Sequence, residues 1–192
     1  MKKRIHEIPE TEILEAELNR AKYKERYKSV LRSTIYTLIT VAAVAVLVAT
    51  LWLPVLRIYG NSMTPTLQDG EIVCSVKTSD MKHGDIVAFY YNNKILIKRV
   101  IASSGEWVDM DREGNVFVND EELVEPYLEE KHYGDADITF PYQVPDGRIF
   151  VMGDHRETSV DSRHLSVGCV AEEQIVGKII FRVWPLNCFG GL

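Results

Sequence analysis

STIYTLITVAAVAVLVATLWLPVL, residues 33–56, runs for 24 residues without a charge. As a helix rising about 1.5 Å per residue it reaches about 36 Å, enough to cross a hydrocarbon core of roughly 30 Å with some tilt. A secretory signal peptide has a short basic start and an apolar core of roughly 7 to 15 residues, whereas 32 residues precede this run. A core helix of a globular domain keeps polar positions on a solvent face; the polar residues here are only Ser, Thr and Tyr. The stretch therefore reads as a membrane span. It divides the chain into a tail (1–32), a transmembrane helix (33–56) and a body (57–192).

The flanks give the orientation. Arg20, Lys22, Lys24, Arg26, Lys28 and Arg32 face a single Glu25 on the tail side, while only Arg57 and Lys77 are basic between the span and Asp80. Positive flanks stay inside, so the tail is expected in the cytoplasm and the body outside. Trp52 and Tyr59 suit an interfacial aromatic belt. The tail holds Ile13, Leu14 and Leu18 among Glu10, Glu12, Glu15 and Glu17. It reads as a topology-setting segment, with a short amphipathic helix after Pro9 that either stands alone or runs into the span.

The body is large enough for one domain with its own core. Net charge is -6, and no basic stripe follows the span, so nucleic acid is not an expected partner. Three cysteines, Cys74, Cys169 and Cys188, are widely spaced without a CxxC. They read as small buried side chains or a free thiol, with a Cys74–Cys169 disulfide as the alternative; the odd count argues against a disulfide framework.

Short apolar runs alternate with turn residues. Strands are expected at 56–59, 71–76, 86–91, 94–102, 106–110, 115–118, 121–124, 148–152 and 174–184, the last broken by Gly177, with Asn92-Asn93 as a hairpin tip. Residues 120–137 carry eight acidic residues and one Lys; they read as a solvated excursion with little regular structure. The body is thus mostly β.

Three places carry candidate chemistry. Histidines at 6, 83, 132, 155 and 164 form no HExxH or close cluster, so no metal site is expected, nor is there a glycine-rich phosphate loop. Ser62 lies in a turn between Gly60 and Pro65. It is either an ordinary turn serine or a projected nucleophile whose own N–H faces an oxyanion. Lys98 lies in the run Ile95 to Ile101, where both faces are largely apolar. Either it snorkels, or burial lowers its pKa and makes it a base near neutrality. Asp154, Arg156, Asp161 and Arg163 crowd one polar segment. They form either a surface salt-bridge patch or the brace of a site.

Five segments then line up in order: GNSMTPTL (60–67), GDIVAFY (84–90), IKRVIA (97–102), VMGDHRETSVDSR (151–163) and IIFRVWPL (179–186). From the span onward the chain resembles the type I signal peptidases, in the single-span layout of the Gram-positive bacterial form. The resemblance implies a signal-peptidase-type antiparallel β catalytic domain with one N-terminal transmembrane helix. It implies a Ser-Lys endopeptidase with Ser62 as nucleophile and Lys98 as general base. Ser159 falls where the family has a serine bonded to the lysine. Asp161, Arg163, Asp154 and Arg156 match supporting residues, and Met63 and Ile86 match a groove selecting small side chains before the cut. No cofactor is implied. The implied partners are secretory preproteins with signal peptides and the lipid bilayer, with the export machinery as a further candidate. Gly60 stands where some members carry a serine as second oxyanion donor, and His155 stands where the usual motif has Asn. His155 is expected to leave activity intact while adding pH dependence. Competing readings are a self-cleaving repressor of related fold, a tethered β domain without activity, and an enzyme restricted to particular clients such as pilin subunits.

Overall fold

The computed structural model describes residues 11–192. Residues 1–10, with His6 and the start after Pro9, lie outside the described residues, as does the side chain of Trp52. The chain divides at residues 49 and 50 into two units, each taken on its own below.

The first unit is helical. Helix α1 (Thr11–Trp52) is 42 residues long, and no Gly or Pro interrupts it. Tail and span therefore form one helix, so the short amphipathic piece has no separate existence. The span was expected to reach Leu56; the helix instead stops at Trp52, because Pro54 lacks an N–H and biases its predecessor away from helix. Ile13–Val48 contains a window of mean hydropathy 1.9 with no buried share. The hydroxyls of Thr34, Thr37 and Thr40 donate to the carbonyls of Val30, Ser33 and Tyr36 at 2.8–2.9 Å. Each polar side chain is thereby satisfied within the helix, as a hydrocarbon surrounding demands. Among the described residues one helix is long and apolar enough to cross a membrane, and with the large β domain of the second unit it supports a single-pass topology.

The second unit holds β1 (Val55–Arg57), β2 (Ile72–Val76), β3 (Ile86–Tyr91), β4 (Lys94–Ala102), β5 (Trp107–Met110), β6 (Val116–Val118), β7 (Glu121–Glu122), β8 (Tyr142–Gln143), β9 (Arg148–Met152), β10 (Val170–Ala171), β11 (Ile175–Trp184) and β12 (Gly190–Gly191). The larger sheet runs β1-β2-β11-β3-β4-β9-β10, with β12 also on β11; the smaller runs β7-β6-β5-β8. Every pairing is antiparallel. The body is the mostly-β domain the sequence implied.

Local chemistry explains the register. Asn92 takes φ 51 at the β3–β4 tip, a conformation Asn tolerates, and the hairpin pairs Tyr91 with Lys94 through Ile86 with Arg99. Gly177 does not end its strand. It marks a register shift within β11, and a Cβ there would come 2.7 Å from the Val76 carbonyl. Three apolar clusters fill the unit. Ile101, Val108, Val116, Phe150 and Met152 anchor one; Ile58, Met63, Leu67, Val73, Ile86 and Ile179 a second; Val87, Phe89, Val100, Val151 and Val170 a third.

Cys74, Cys169 and Cys188 are free thiols, so the unpaired reading holds and no Cys74–Cys169 disulfide forms; Cys169 is buried with its thiol pushed up to about 11 by desolvation, while Cys188 is exposed. One expectation needs correction. The acidic excursion is irregular beyond β7, but it is not simply a solvated face. Leu123 and Tyr133 pack on the first cluster, and Glu125 is only 7% exposed.

Candidate active site

Ser62 lies in the loop that joins β1 to β2. The loop is closed at its base by Ile58 N–H to the Glu71 carbonyl (2.8 Å) and Gly70 N–H to the Ile58 carbonyl (3.0 Å). Gly60 takes φ 84, the left-handed region that glycine enters without penalty, and its N–H donates to Asp69 Oδ1 at 2.7 Å. The next turn is held by Thr64 N–H to Asn61 O and Leu67 N–H to Met63 O. Met63 and Leu67 then bury their side chains in the second cluster, which pins the loop on either side of the hydroxyl.

Lys98 comes from the middle of β4 and is 2% exposed. Its Nζ lies 2.6 Å from Ser62 Oγ, across 36 residues of chain. Burial pushes the amine down to about 8; Asp161 and Asp154 pull it back up, and Arg163 pushes it further down. The lysine therefore does not snorkel. A group with that pKa is partly neutral near pH 7 and can accept a proton from a hydroxyl at this distance.

An open cleft of about 650 Å³ leads to the pair. Arg57, Tyr59, Gly60, Ser62 and Met63 form one wall and Lys94 to Lys98 the other. Met63 is among the residues lining this cleft, and Ile86 belongs to the apolar cluster that packs around Met63.

The polar segment after β9 is a buried, hydrogen-bonded network next to Ser62 and is not a surface patch. Asp154, Arg156, Ser159, Asp161 and Arg163 are all buried. Arg163 donates to both oxygens of Asp161 at 2.9 Å, and Asp161 also accepts from Gly153 N–H at 3.0 Å. Burial raises the Asp161 carboxyl, but the Arg163 bonds and charge and the Gly153 N–H outweigh it and hold the carboxyl below its usual range. The Ser62 carbonyl accepts from the His155 N–H at 3.1 Å. Gly153 lies so close that a Cβ would overlap the Ser62 carbonyl and the Ser159 side chain. Ser159 is buried there; its hydroxyl lies near the Asp161 carboxylate and helps hold it below its usual range, though the contact is too long or bent to count as a full hydrogen bond; the Lys98 amine bonds Ser62. The His155 ring faces Thr158 Oγ1 at 2.8 Å, so His155 reaches the serine through its backbone alone.

Several members of this brace escape a reading of the sequence. Arg99, next to the lysine, is buried too: it bonds both oxygens of Asp154 at 2.8 and 2.6 Å and the Gly84 carbonyl at 2.7 Å. It also donates to Thr66 Oγ1 at 3.2 Å, tying the serine loop to the lysine strand. Arg182 of β11 bonds the Thr66 carbonyl and pairs with Glu71 at 3.2 Å. Arg156 forms a two-pronged bond with Glu125, and the Tyr127 ring centre lies 3.8 Å from the Arg99 guanidinium. The only advance signal was two adjacent basic residues on a strand with two apolar faces.

Residues 31–184 match the family model described as signal peptidase, peptidase S26. The chain is 39% identical over 152 residues to signal peptidase IB of Staphylococcus aureus, covering 69% of this chain and 78% of that protein. It is 37% identical over 141 residues to signal peptidase I T of Bacillus subtilis (strain 168), covering 67% and 72%. A crystal structure of a signal peptidase I from Enterococcus faecalis V583 aligns with a TM-score of 0.45 at 29% identity, over 53% of this chain and 98% of that one. The chain belongs to the signal peptidase, peptidase S26 family of membrane-anchored, serine-protease-like enzymes that act on signal peptides.

Proposed function

We propose that the protein is a membrane-bound serine endopeptidase that removes N-terminal signal peptides from exported preproteins with a Ser62–Lys98 dyad. The observation that carries this reading is the 2.6 Å approach of a buried, pKa-lowered lysine to a serine hydroxyl at the head of an open cleft. Neutral Lys98 accepts the Ser62 proton as the hydroxyl oxygen attacks the scissile carbonyl. The Ser62 N–H, which meets no acceptor among the described residues, donates to the oxyanion. Lys98 passes its proton to the leaving amine, and a water deprotonated by the same lysine releases the acyl-enzyme. No metal or cofactor takes part in these steps.

The substrate lies extended. β4 pairs β9 only from Arg99 to Ala102, and β1 pairs only β2. Lys94 to Lys98 and β1 therefore each offer an unpaired edge to the cleft, which suits β-strand addition. Met63 bounds the pocket for a small side chain before the cut, and Ile86 sets its position from behind. Asp154, Arg156, Ser159, Asp161 and Arg163 hold the pair in place, and Gly60 shapes the loop. The tail lies in the cytoplasm, the span anchors the enzyme, and the body works on the outer face, where signal peptides emerge and their effective concentration is high. Preproteins and bilayer are the partners, with the export machinery beside them.

The test is cleavage of a signal-peptide-bearing preprotein in lipid by wild type, Ser62→Ala and Lys98→Ala, with products sized by intact mass. A cut after a small residue, lost in both variants, is expected. Cleavage that survives either substitution refutes the dyad.

A further inference from the structure

The acidic excursion remains without a role in these steps, yet it is joined to the brace at three buried arginines. Glu125 takes Arg156 through both carboxylate oxygens. Tyr127 donates its hydroxyl to Glu125 Oε1 at 2.7 Å and lays its ring against Arg99. The Tyr133 carbonyl accepts from Arg163 Nη1 at 2.7 Å, and Asp137 N–H donates to the Arg163 carbonyl at 3.0 Å. Gly134 takes φ 68, and a Cβ there would overlap Arg163 Nη1 and the Arg156 carbonyl; only glycine lets the backbone pass so close.

A segment this acidic has no electrostatic reason to bury a carboxylate unless a partner is fixed. Glu125 and its arginine are almost fully buried. Burial and the neighbouring Glu125 carboxylate both push the Tyr127 phenol far up, so it stays a hydrogen-bond donor throughout the working range.

We propose that Glu125 and Tyr127 are positioning residues for the Ser62–Lys98 pair, acting as a strap across the arginines that brace it. Two routes lead from the strap to the dyad. Arg156, held by Glu125, donates from Nε to the Gly153 carbonyl at 3.2 Å. Gly153 packs on the Ser62 carbonyl, and the His155 N–H bonds that same carbonyl. Arg99, under Tyr127, holds Asp154 and Thr66 and is Lys98's neighbour on β4. None of these strap atoms is among those lining the cleft, so loosening the strap disturbs the reacting atoms without touching bound substrate. A misplacement on the order of 1 Å can cost about 100-fold in rate.

The proposal rests on the dyad reading, and the test separates the two. The full chain in detergent micelles is assayed on a signal-peptide-bearing preprotein for kcat and KM, well below each variant's melting temperature. Glu125→Gln and Tyr127→Leu are expected to lower kcat roughly 10-fold or more while KM stays within about two-fold. Tyr127→Phe keeps the ring on Arg99 and recovers most of the Tyr127→Leu loss. Should Tyr127→Leu not fold, Glu125→Gln and Tyr127→Phe still decide. A kcat within about two-fold of wild type in folded Glu125→Gln, with only the melting temperature lowered, overturns the proposal. So does a raised KM at unchanged kcat, which would make the segment a substrate contact. Ser62→Ala and Lys98→Ala run alongside: cleavage by either sinks the dyad itself, whereas a failed strap leaves both inactive.

Discussion

Lys98 is a buried lysine whose charge is held at a cost to the fold. Its folded pKa of about 8 lies below the ordinary 10.5. Between those values the unfolded chain holds a proton that the folded chain has released, so the lysine's contribution makes stability rise with pH across that window. Below about pH 8 the folded protein bears the full penalty, up to about 3 kcal/mol. Lys98→Met is therefore expected to abolish cleavage while raising the melting temperature at pH 7, a gain that shrinks as pH climbs through the window; thermal melts across pH 6–10 check it. His155 works differently. Its contact with Ser62 is through the backbone N–H, which any side chain preserves. His155→Asn should keep kcat/KM within about two-fold at each pH from 5 to 8, and a profile that changes shape would assign the ring a titrating role. Gly153→Ala has no such latitude, because the Cβ would displace the Ser62 carbonyl; complete loss of cleavage is expected at any pH.

At the scale of elements, the serine loop is held from two sides by Thr66. Arg99 reaches its hydroxyl and Arg182 its carbonyl. Thr66→Val keeps shape and removes only the hydroxyl bond, so it should cost about 1 kcal/mol of stability and several-fold in kcat, read by steady-state cleavage. Loop and strands also show what a sequence can reveal. β3, β4 and β9 fall where the residues predicted, because each is a largely apolar run bounded by turn residues: Asp85 and Asn92, Asn93 and Ser103, Gly147 and Gly153. β8, β10 and β12 are two residues each, too short for any period to register. Ser62 and Lys98 stood out as a strained turn and a charge among apolar neighbours. Asp154, Arg156, Asp161 and Arg163 stood out as a cluster of undecided role, but Arg99, Arg182 and Glu125 did not, because Arg99 meets Asp154 across 55 residues and Arg156 meets Glu125 across 31. Local charge density reads such groups as surface, and only the fold turns them inward.

At the scale of the whole molecule, a long apolar helix precedes a β domain that carries an open cleft. The proposed orientation, with the body outside, rests on six basic residues from Arg20 to Arg32. Replacing them with Glu removes the positive-inside bias and is expected to place the body in the cytoplasm in a large share of molecules, read by protease access to the body in intact cells. Those molecules should leave exported precursors uncut. If a neutral lysine beside Ser62 drives the cleavage, the Lys98 side-chain resonance followed with pH in the full chain and the pH profile of kcat/KM on one preprotein share a midpoint. The lysine is expected to titrate near 8, with kcat/KM rising through the same pH. A lysine titrating near its ordinary value, or a rate that does not follow it, would refute the proposed dyad.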